Sequence, residues 1–459
     1  MQNKINLIVL TFFLIVTILV ILLLVNDRLF PKTQSLIHKI CPPNCNVILI
    51  SIDTLRADHL GIYGYQKEIS PNIDSLAREG VVFKNAFAQS SWTLPSHASM
   101  FTGRYPQQIG VEIFSDRLPE NSTITEVLRK ANYKTAAFTS GTFVNSDHGF
   151  SQGFSEFAEF DDWQDANYLT DKAIEWLTIN QQEKKFLFLH YFHVHDPYSP
   201  REDSVRTLDP KYSGNLTSFN ISQIVKLNKG ETKLSRTDLN HIKTLYDSEI
   251  NELDNSLGKF FEQLKKTGLD ENTIIIIVGD HGEEFGERGI WAMHAYSLYD
   301  ELIKIPMIIK IPNLYQGKEV SGLVELVDIP PTILALLGLE DSMEHSGQNL
   351  IKVIEEKVSK ESVYAETSIQ KQQMLESIEK GYTIKKISDL PPQILEGLAK
   401  QKNNKIKTRM IRTTNFKLIQ NFDNTIELYN LKDDPMEKNN LVKKGLKEEL
   451  ELQNILNNF

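Results

Sequence analysis

NVILISID, residues 46–53, is the stretch on which the reading of this chain turns. Val47 to Ile52 is short and rich in Ile and Val, the pattern of a strand buried on both faces. Asp53 closes it. A second run of this kind, ENTIIIIVGDHGEE (271–284), ends at Asp280. Helical and strand patterns alternate between the two. SPNIDSLAREG (70–80) predicts a helix with Ser70 as cap, Pro71 at its first position and Gly80 as stop. VVFKNAFA (81–88) predicts a strand, and NSTITEVLRKANYKTAAFTSG (121–141) a helix then a strand. EKKFLFLHYFHVHDPYSP (183–200) gives a strand ending among histidines, and LNHIKTLYDSEINELDNSLGKFFEQLKKTG (239–268) a long amphipathic helix. The alternation predicts an α/β domain with a largely parallel sheet between helix layers.

Outward from this core the pattern changes. Leu7 to Val25 is apolar apart from Thr11 and Thr17. At about 1.5 Å per residue it spans roughly 28 Å, close to a bilayer's hydrocarbon core. It ends Leu-Val-Asn-Asp-Arg, without the small-residue pattern of a cleavage site, so an uncleaved anchor is expected over 1–26. Residues 27–45, with Pro31, Pro42 and Pro43, read as a linker. The catalytic domain is expected over 46–359, with 324–340 (VELVDIPPTILALLGLE) as a helix near its end. Residues 351–410 read as helical with loops. RTTNFKLIQNFDNTIELYNL predicts two short strands joined through Asn421 to Asn424, within a smaller α+β subdomain over 360–459.

The chain has 459 residues, 41% hydrophobic and 24% charged, an ordinary globular balance. A net charge of −10 leaves no basic field for nucleic acid. The only cysteines are Cys41 and Cys45. They are too few for a zinc site and fit either a small disulfide or two free thiols.

Asp53 and Asp280 both fall at carboxyl ends of buried strands, where α/β sheets bind ligands. Two carboxylates on one rim repel unless a cation sits between them, and His281 could add a nitrogen ligand. A third segment, SWTLPSHASMFTGRYP (91–106), sets Thr93 two residues before Pro95, with Gly103 as a helix stop. Thr93 is therefore expected at a helix N-terminus, either as a plain cap or as a nucleophile favoured by the dipole. His190, His193 and His195 crowd the end of one strand. Alternation would point His193 and His195 the same way. His294 follows Asp280 by a short loop.

ISIDTLRADHLGIYGY, SPNIDSLAREGVVFKNAFAQSSWTLPSHASMFTGRYP, VGDHGEEFGERG, LYDELIKIPMIIK and ELYNLKDDPMEKNNL occur in an order that resembles the sulfatase family of the alkaline phosphatase superfamily. The resemblance implies a mixed sheet sandwiched between helices, a smaller C-terminal subdomain with a short antiparallel sheet, and one divalent metal. It implies Asp53, Asp280 and His281 as metal ligands together with Thr93, which stands in the nucleophile's place. It implies His195 as a substrate-binding histidine, and sets His294 near a leaving-group acid. Three departures stand out. Thr93 replaces the Cys or Ser that sulfatases convert to formylglycine, His97 replaces the motif's Arg, and Thr54 stands where many have a second metal-binding Asp. Threonine nucleophiles are known in phosphoethanolamine and phosphoglycerol transferases of the superfamily.

The expected protein is thus a membrane-anchored, extracytoplasmic, metal-dependent hydrolase of sulfate or phosphate esters. Thr93, His195 and His294 are expected to be catalytic, and His97, His195 and His294 to bind the anionic substrate, be it a glycan, lipid headgroup or small ester. Carboxylates with one imidazole favour Mn²⁺, Mg²⁺ or Zn²⁺ over Ca²⁺. A headgroup transferase and a catalytically silent binder of anionic ligands are the competing readings.

Overall fold

The computed structural model describes residues 45–160, 165–179, 183–372, 396–397, 399–400, 402, 407–442 and 444–459. The expected anchor, Leu7 to Val25, and all of the linker but Cys45 lie outside them. Among the described residues no helix is long and apolar enough to cross a membrane. Cys45 is disulfide-bonded.

The strands, in chain order, are β1 Asn46–Ile52, β2 Val81–Phe87, β3 Lys134–Ser140, β4 Glu156–Phe160, β5 Lys185–Tyr191, β6 Thr273–Gly279, β7 Lys304–Ile305, β8 Met307–Lys310 and β9 Lys318–Glu325, then β10 Val363–Thr367, β11 Thr408–Arg412, β12 Phe416–Gln420 and β13 Ile426–Asn430. The first nine form one sheet ordered β4-β3-β5-β1-β6-β8-β2-β7, with β9 beside β2. β1 pairs in parallel with β5 on one side and β6 on the other, so Ile52 lies level with Tyr191 and Gly279. The two apolar runs of the sequence are therefore neighbouring central strands, and Asp53 and Asp280 leave the sheet at the same rim. β8 runs antiparallel to both β6 and β2, so the sheet is mixed, as the resemblance implies, rather than largely parallel as the alternation predicts.

Every residue of β1 and β6 is buried. Val47 and Leu49 pack on one face with Phe83, Phe101, Ile274 and Ile276. Ile48, Ile50 and Ile52 pack on the other with Ile275, Ile277, Leu253 and Leu257. Alternate residues of one strand thus serve two cores, which is why these runs show no polar face.

Helix α1, Pro71–Arg78, has Pro71 at its start and Ser70 as N-cap. The Ser70 hydroxyl accepts from Gly61 N rather than capping the helix. α2, Thr93–Thr102, ends at Gly103 in the left-handed region, φ 69°, where a side chain would also strike His345. α3, Arg236–Lys266, opens with a Ser235–Asp238 capping box and lays Leu245, Ile250, Leu253 and Leu257 on the sheet.

The helix expected over 324–340 is shorter. Val324 and Glu325 complete β9, and α4 occupies Ile329–Leu336 with its prolines in the first turn, the only part of a helix that accepts them. Within 351–410, read as helical, the chain also forms β10 and the start of β11. β10-β11-β12-β13 is a second, antiparallel sheet, and the turn at Asn421–Asn424 joins β12 to β13 as expected.

Candidate active site

Beyond β1, the chain turns sharply at Thr54, whose φ of 56° is a costly conformation for a β-branched residue. The turn is held by its hydroxyl, 2.8 Å from Asp53 O and 3.2 Å from Val194 O, and by Tyr246, whose phenol donates to Thr54 O at 2.7 Å. Thr54 therefore turns its side chain to the backbone. Its N–H and that of His281 both donate to Asp280 Oδ1, at 3.2 and 2.9 Å. This leaves Asp280 Oδ2 without a hydrogen-bond partner, and Asp53 Oδ1 is likewise unpaired. Gly282 is required beside them, since a side chain there would strike Glu301 O.

His281 Nδ1 lies 2.9 Å from Gly282 O. A carbonyl can only accept, so Nδ1 carries the proton and Nε2 presents a lone pair. That Nε2 lies 3.4 Å from Asp53 Oδ1 and 3.5 Å from Asp280 Oδ2. Asp53, Asp280 and His281 thus gather three ligand atoms within 4.8 Å of one another, all buried. Unpaired inward-facing oxygens and a lone pair of fixed tautomer are what a divalent cation requires, and the residues fit one.

Thr93 is the first residue of α2, with Trp92 as its N-cap, so the plain capping role does not hold. Its hydroxyl instead stands 3.3 Å from both Asp53 Oδ2 and His281 Nε2. The expected ligand set and nucleophile candidate are therefore brought together. Two latches fix this segment: Ala295 N donates to Ser91 O at 2.8 Å, and Ser90 Oγ to Glu366 O of β10 at 2.7 Å.

His195 and His294 face one another with ring centres 4.9 Å apart, and His294 lies 4.5 Å from His281. Glu283 Oε1 sits 3.2 Å from His294 Nδ1, and Tyr198 donates to Glu283 Oε2 at 3.1 Å. His193 does not point with His195. β5 ends at Tyr191, so the alternation stops there, and His193 pairs with Glu249 of α3 at 3.0 Å. His97 is wholly buried inside α2, its Nδ1 donating to Thr93 O at 2.9 Å, with ring contacts to Phe150, Phe188 and His190.

The electrostatics separate the groups. Burial opposes the charge of Asp53, yet the close approach of His190 and the fields of His195 and His281 hold it well below the usual carboxylate range. Burial, then the Asp53 charge, pushes Asp280 well above that range. Without a cation the pair thus shares its charge unequally. Burial and the neighbouring His294 lower His281 to about 3, and burial and His195 lower His294 to about 4. For His195, burial is outweighed by Asp196, Asp53 and Glu283, and its pKa rises. It is the better proton donor of the facing pair. Burial lifts Glu283 to about 7.

Glu283 has no role in the sequence reading, and His190 figures there only as one of the clustered histidines that could serve as proton donors or oxyanion partners, not as a neighbour of Asp53. His190 Nε2 lies 3.2 Å from Asp53 Oδ2 without an aligned hydrogen bond. The signal was there in FLFLHYF: a histidine inside a fully buried apolar strand.

Comparison with known proteins bears on this geometry. The sequence model of a family described as "Sulfatase" matches residues 45–339. An N-acetylglucosamine-6-O-sulfatase of Bacteroides thetaiotaomicron is 23% identical over 506 residues, covering 90% of this chain and 85% of the relative. A protein solved in complex with its substrate D-glucosamine-2-N,6-O-disulfate superposes with a TM-score of 0.71 at 19% identity, over 90% of this chain and 97% of that one. The phosphonate monoester hydrolase of Agrobacterium radiobacter gives 0.71 at 21% identity, over 90% and 94%.

Proposed function

The chain belongs to the sulfatase family, and from that premise we propose that it is a divalent-metal-dependent hydrolase of sulfate or phosphate esters that uses Thr93 as nucleophile. One observation carries this reading: the Thr93 hydroxyl stands 3.3 Å from both Asp53 and His281, beside two unpaired buried carboxylate oxygens. A binding module has no need of a hydroxyl in that place.

Asp53, Asp280 and His281 would hold the cation with Thr93 Oγ. When bound, it supplies Lewis-acid polarisation of the ester and lowers the pKa of the hydroxyl beside it. Thr93 Oγ, ionised with its proton released to solvent, forms a bond to sulfur or phosphorus as the leaving oxygen departs, giving a covalent threonine ester. His195, with its raised pKa, protonates the leaving oxygen, and Glu283 orients His294 opposite. Water then attacks sulfur or phosphorus, passing one proton to the His195 that the first step left neutral, and frees Thr93 as the leaving oxygen. An acceptor alcohol in water's place would make the enzyme a transferase.

Substrate class follows from the nucleophile. A formylglycine hydrate can expel sulfate by collapsing to its aldehyde, whereas Thr93 must be released by a second displacement. Phosphoryl centres tolerate that step well when their oxygens are neutralised. The substrate in this reading is therefore an anionic ester, with phosphoesters turned over faster than matched sulfate esters. The sulfated sugar bound by the solved neighbour supports a glycan-sized ligand, and the phosphonate hydrolase supports phosphorus chemistry. We further place the enzyme at a membrane through residues 1–26, in an oxidising extracytoplasmic space consistent with the disulfide at Cys45. The catalytic domain ends near 359 in this reading.

The test is a matched aryl phosphodiester and aryl sulfate, assayed with Mn²⁺ on wild type and Thr93→Ala, with mass spectrometry of the Thr93 peptide. A mass shift on Thr93 and faster phosphoester turnover are expected. Faster sulfate turnover that vanishes in Thr93→Ala refutes the substrate preference, and turnover untouched by Thr93→Ala refutes the nucleophile.

A further inference from the structure

His195 rides on a tight turn. β5 ends at Tyr191, and the chain after it folds back at once, with His195 N donating to Phe192 O at 3.0 Å. Phe192 N donates to Ser140 Oγ at 3.0 Å, and the Phe192 ring stacks on His195 with centres 4.2 Å apart. His195 Nδ1 donates to Asp196 O, one residue on, at 2.6 Å, which leaves Nε2 to present a proton to a leaving oxygen. Among the described residues, the hydrogen bond and ion pair of this ring are both made to Asp196. Its direction therefore follows the conformation of the loop that carries it.

His193 is a corner of that turn and points the other way, to α3. Its Nε2 lies 3.0 Å from Glu249 Oε2 and 3.6 Å from Glu252 Oε2. The two glutamates stand at i and i+3 and share one face of the helix. Their other oxygens take main-chain N–H groups from further along the same loop, Ser199 N to Glu249 Oε1 and Arg201 N to Glu252 Oε1, both at 2.8 Å. One pair of carboxylates thus staples the loop on both sides of His195. Neither contact of Nε2 is aligned as a hydrogen bond, so charge is what holds His193 there. Burial opposes that charge, yet Glu249 and Glu252 outweigh it and lift His193 to about 10. We propose that His193 is a positioning residue: its cationic ring, held between Glu249 and Glu252, fixes the turn so that His195 meets the leaving oxygen. Thr54 Oγ to Val194 O and Tyr198 N to Phe219 O, both at 3.2 Å, anchor the loop independently, so losing the His193 contact loosens the turn without unfolding it.

This inference rests on the reading of His195 as the proton donor, and the leaving group tells the two apart. Phenol departs poorly without a proton, whereas 4-nitrophenolate departs unaided, so a misplaced acid shows on the first and not on the second. The quantity measured is kcat/KM, which reports the step in which the leaving oxygen departs, for the phenyl and 4-nitrophenyl esters of whichever class, sulfate or phosphodiester, turns over faster. His193→Gln should lower it by about 30-fold or more for the phenyl ester and by less than about threefold for the 4-nitrophenyl ester. His193→Lys, which keeps the charge, should restore most of the loss, and His195→Ala should show the same leaving-group dependence more strongly. A generally damaged site would slow both esters alike. An equal fall on both esters in His193→Gln, or none, beside a leaving-group-dependent His195→Ala, overturns the positioning role and leaves the role of His195 standing. A His195→Ala enzyme without that dependence overturns both. If His193→Gln does not fold, Glu249→Gln combined with Glu252→Gln removes the charges while each amide oxygen still accepts its N–H. A selective loss on the phenyl ester there upholds the proposal, and an equal effect on the two esters overturns it.

Discussion

At the seam between the two sheets, fully buried Lys417 lies 3.0 Å from Asp300 and 2.8 Å from Glu437, and Arg412 adds a second contact to Asp300 at 3.2 Å. Close by, Lys360 is held by Glu325 and by Asp328 at 2.7 Å. At the rim of β1 and β6 the same kind of burial surrounds the opposite composition. There Asp53 and Asp280 each leave an oxygen unpaired, and His281 turns the lone pair of its Nε2 toward both carboxylates. The seam neutralises its carboxylates from within the chain. The rim leaves that task to something not encoded in the sequence. Buried charge matched by charge fixes structure, while buried charge left unmatched marks where a ligand belongs.

The contrast can be broken in four ways. Thr93→Ala should cost about 10⁴-fold or more in kcat, because no neighbouring hydroxyl can replace it, while stability moves by no more than about 1 kcal/mol. Steady-state kinetics beside a thermal melt checks both, and a loss below tenfold would remove Thr93 from the chemistry. Lys417→Ala should do the reverse. It strands Asp300 and Glu437 in the interior at a cost of about 3–5 kcal/mol, read by urea denaturation, yet leaves the metal content unchanged.

Chelation comes third. Removing a cation present at one hundred times its Kd takes away about 2.7 kcal/mol, and Asp280→Asn should invert that dependence. The variant should melt higher than wild type in chelator, where Asp280 is the carboxyl whose pKa is pushed up, and lower than wild type in saturating Mn²⁺. Equal melting temperatures in chelator would mean that the two carboxylates do not oppose each other.

The smallest effect belongs to a buried carboxylate met by N–H groups alone. Asp254 accepts from Asn72 N, Asn72 Nδ2 and Ile73 N at 3.0, 2.8 and 2.8 Å, and burial lifts it to about 6. The folded pKa lies above the ordinary 3.8, so its stability contribution is complete below that pH and is lost as pH rises through about 6. Asp254→Asn should flatten the fall in melting temperature across that window. An unchanged slope would assign it to other groups.

Much of this was legible in the chain because the decisive signals are local. The runs of β1 and β6 have no polar face to misread, and Thr93 and Gly103 bracket α2 by simple terminus chemistry. What escaped depends on distant partners. β8 has the length and composition of a parallel strand, and only its pairing with β6 and β2 gives its direction. β10 is five residues long beside polar sequence, and its burial comes from β11 and the main sheet. The divergence of His193 from His195 follows from the chain leaving the sheet after Tyr191, which periodicity extrapolated past. The approach of His97 to His190 joins a helix and a strand 93 positions apart, as the numbering shows, and no spacing rule reaches that far.

β1 also has a mechanical meaning. It is clasped in parallel on both edges, by β5 and by β6, from Asn46 or Val47 through Ile52. A pull on the chain ahead of Asn46 runs along the strand, so the hydrogen bonds on both edges resist in shear together rather than opening one at a time. Tension applied at the amino end therefore meets a strand loaded in shear on both edges first, and Asp53, on the far side of that clasp, is shielded from it.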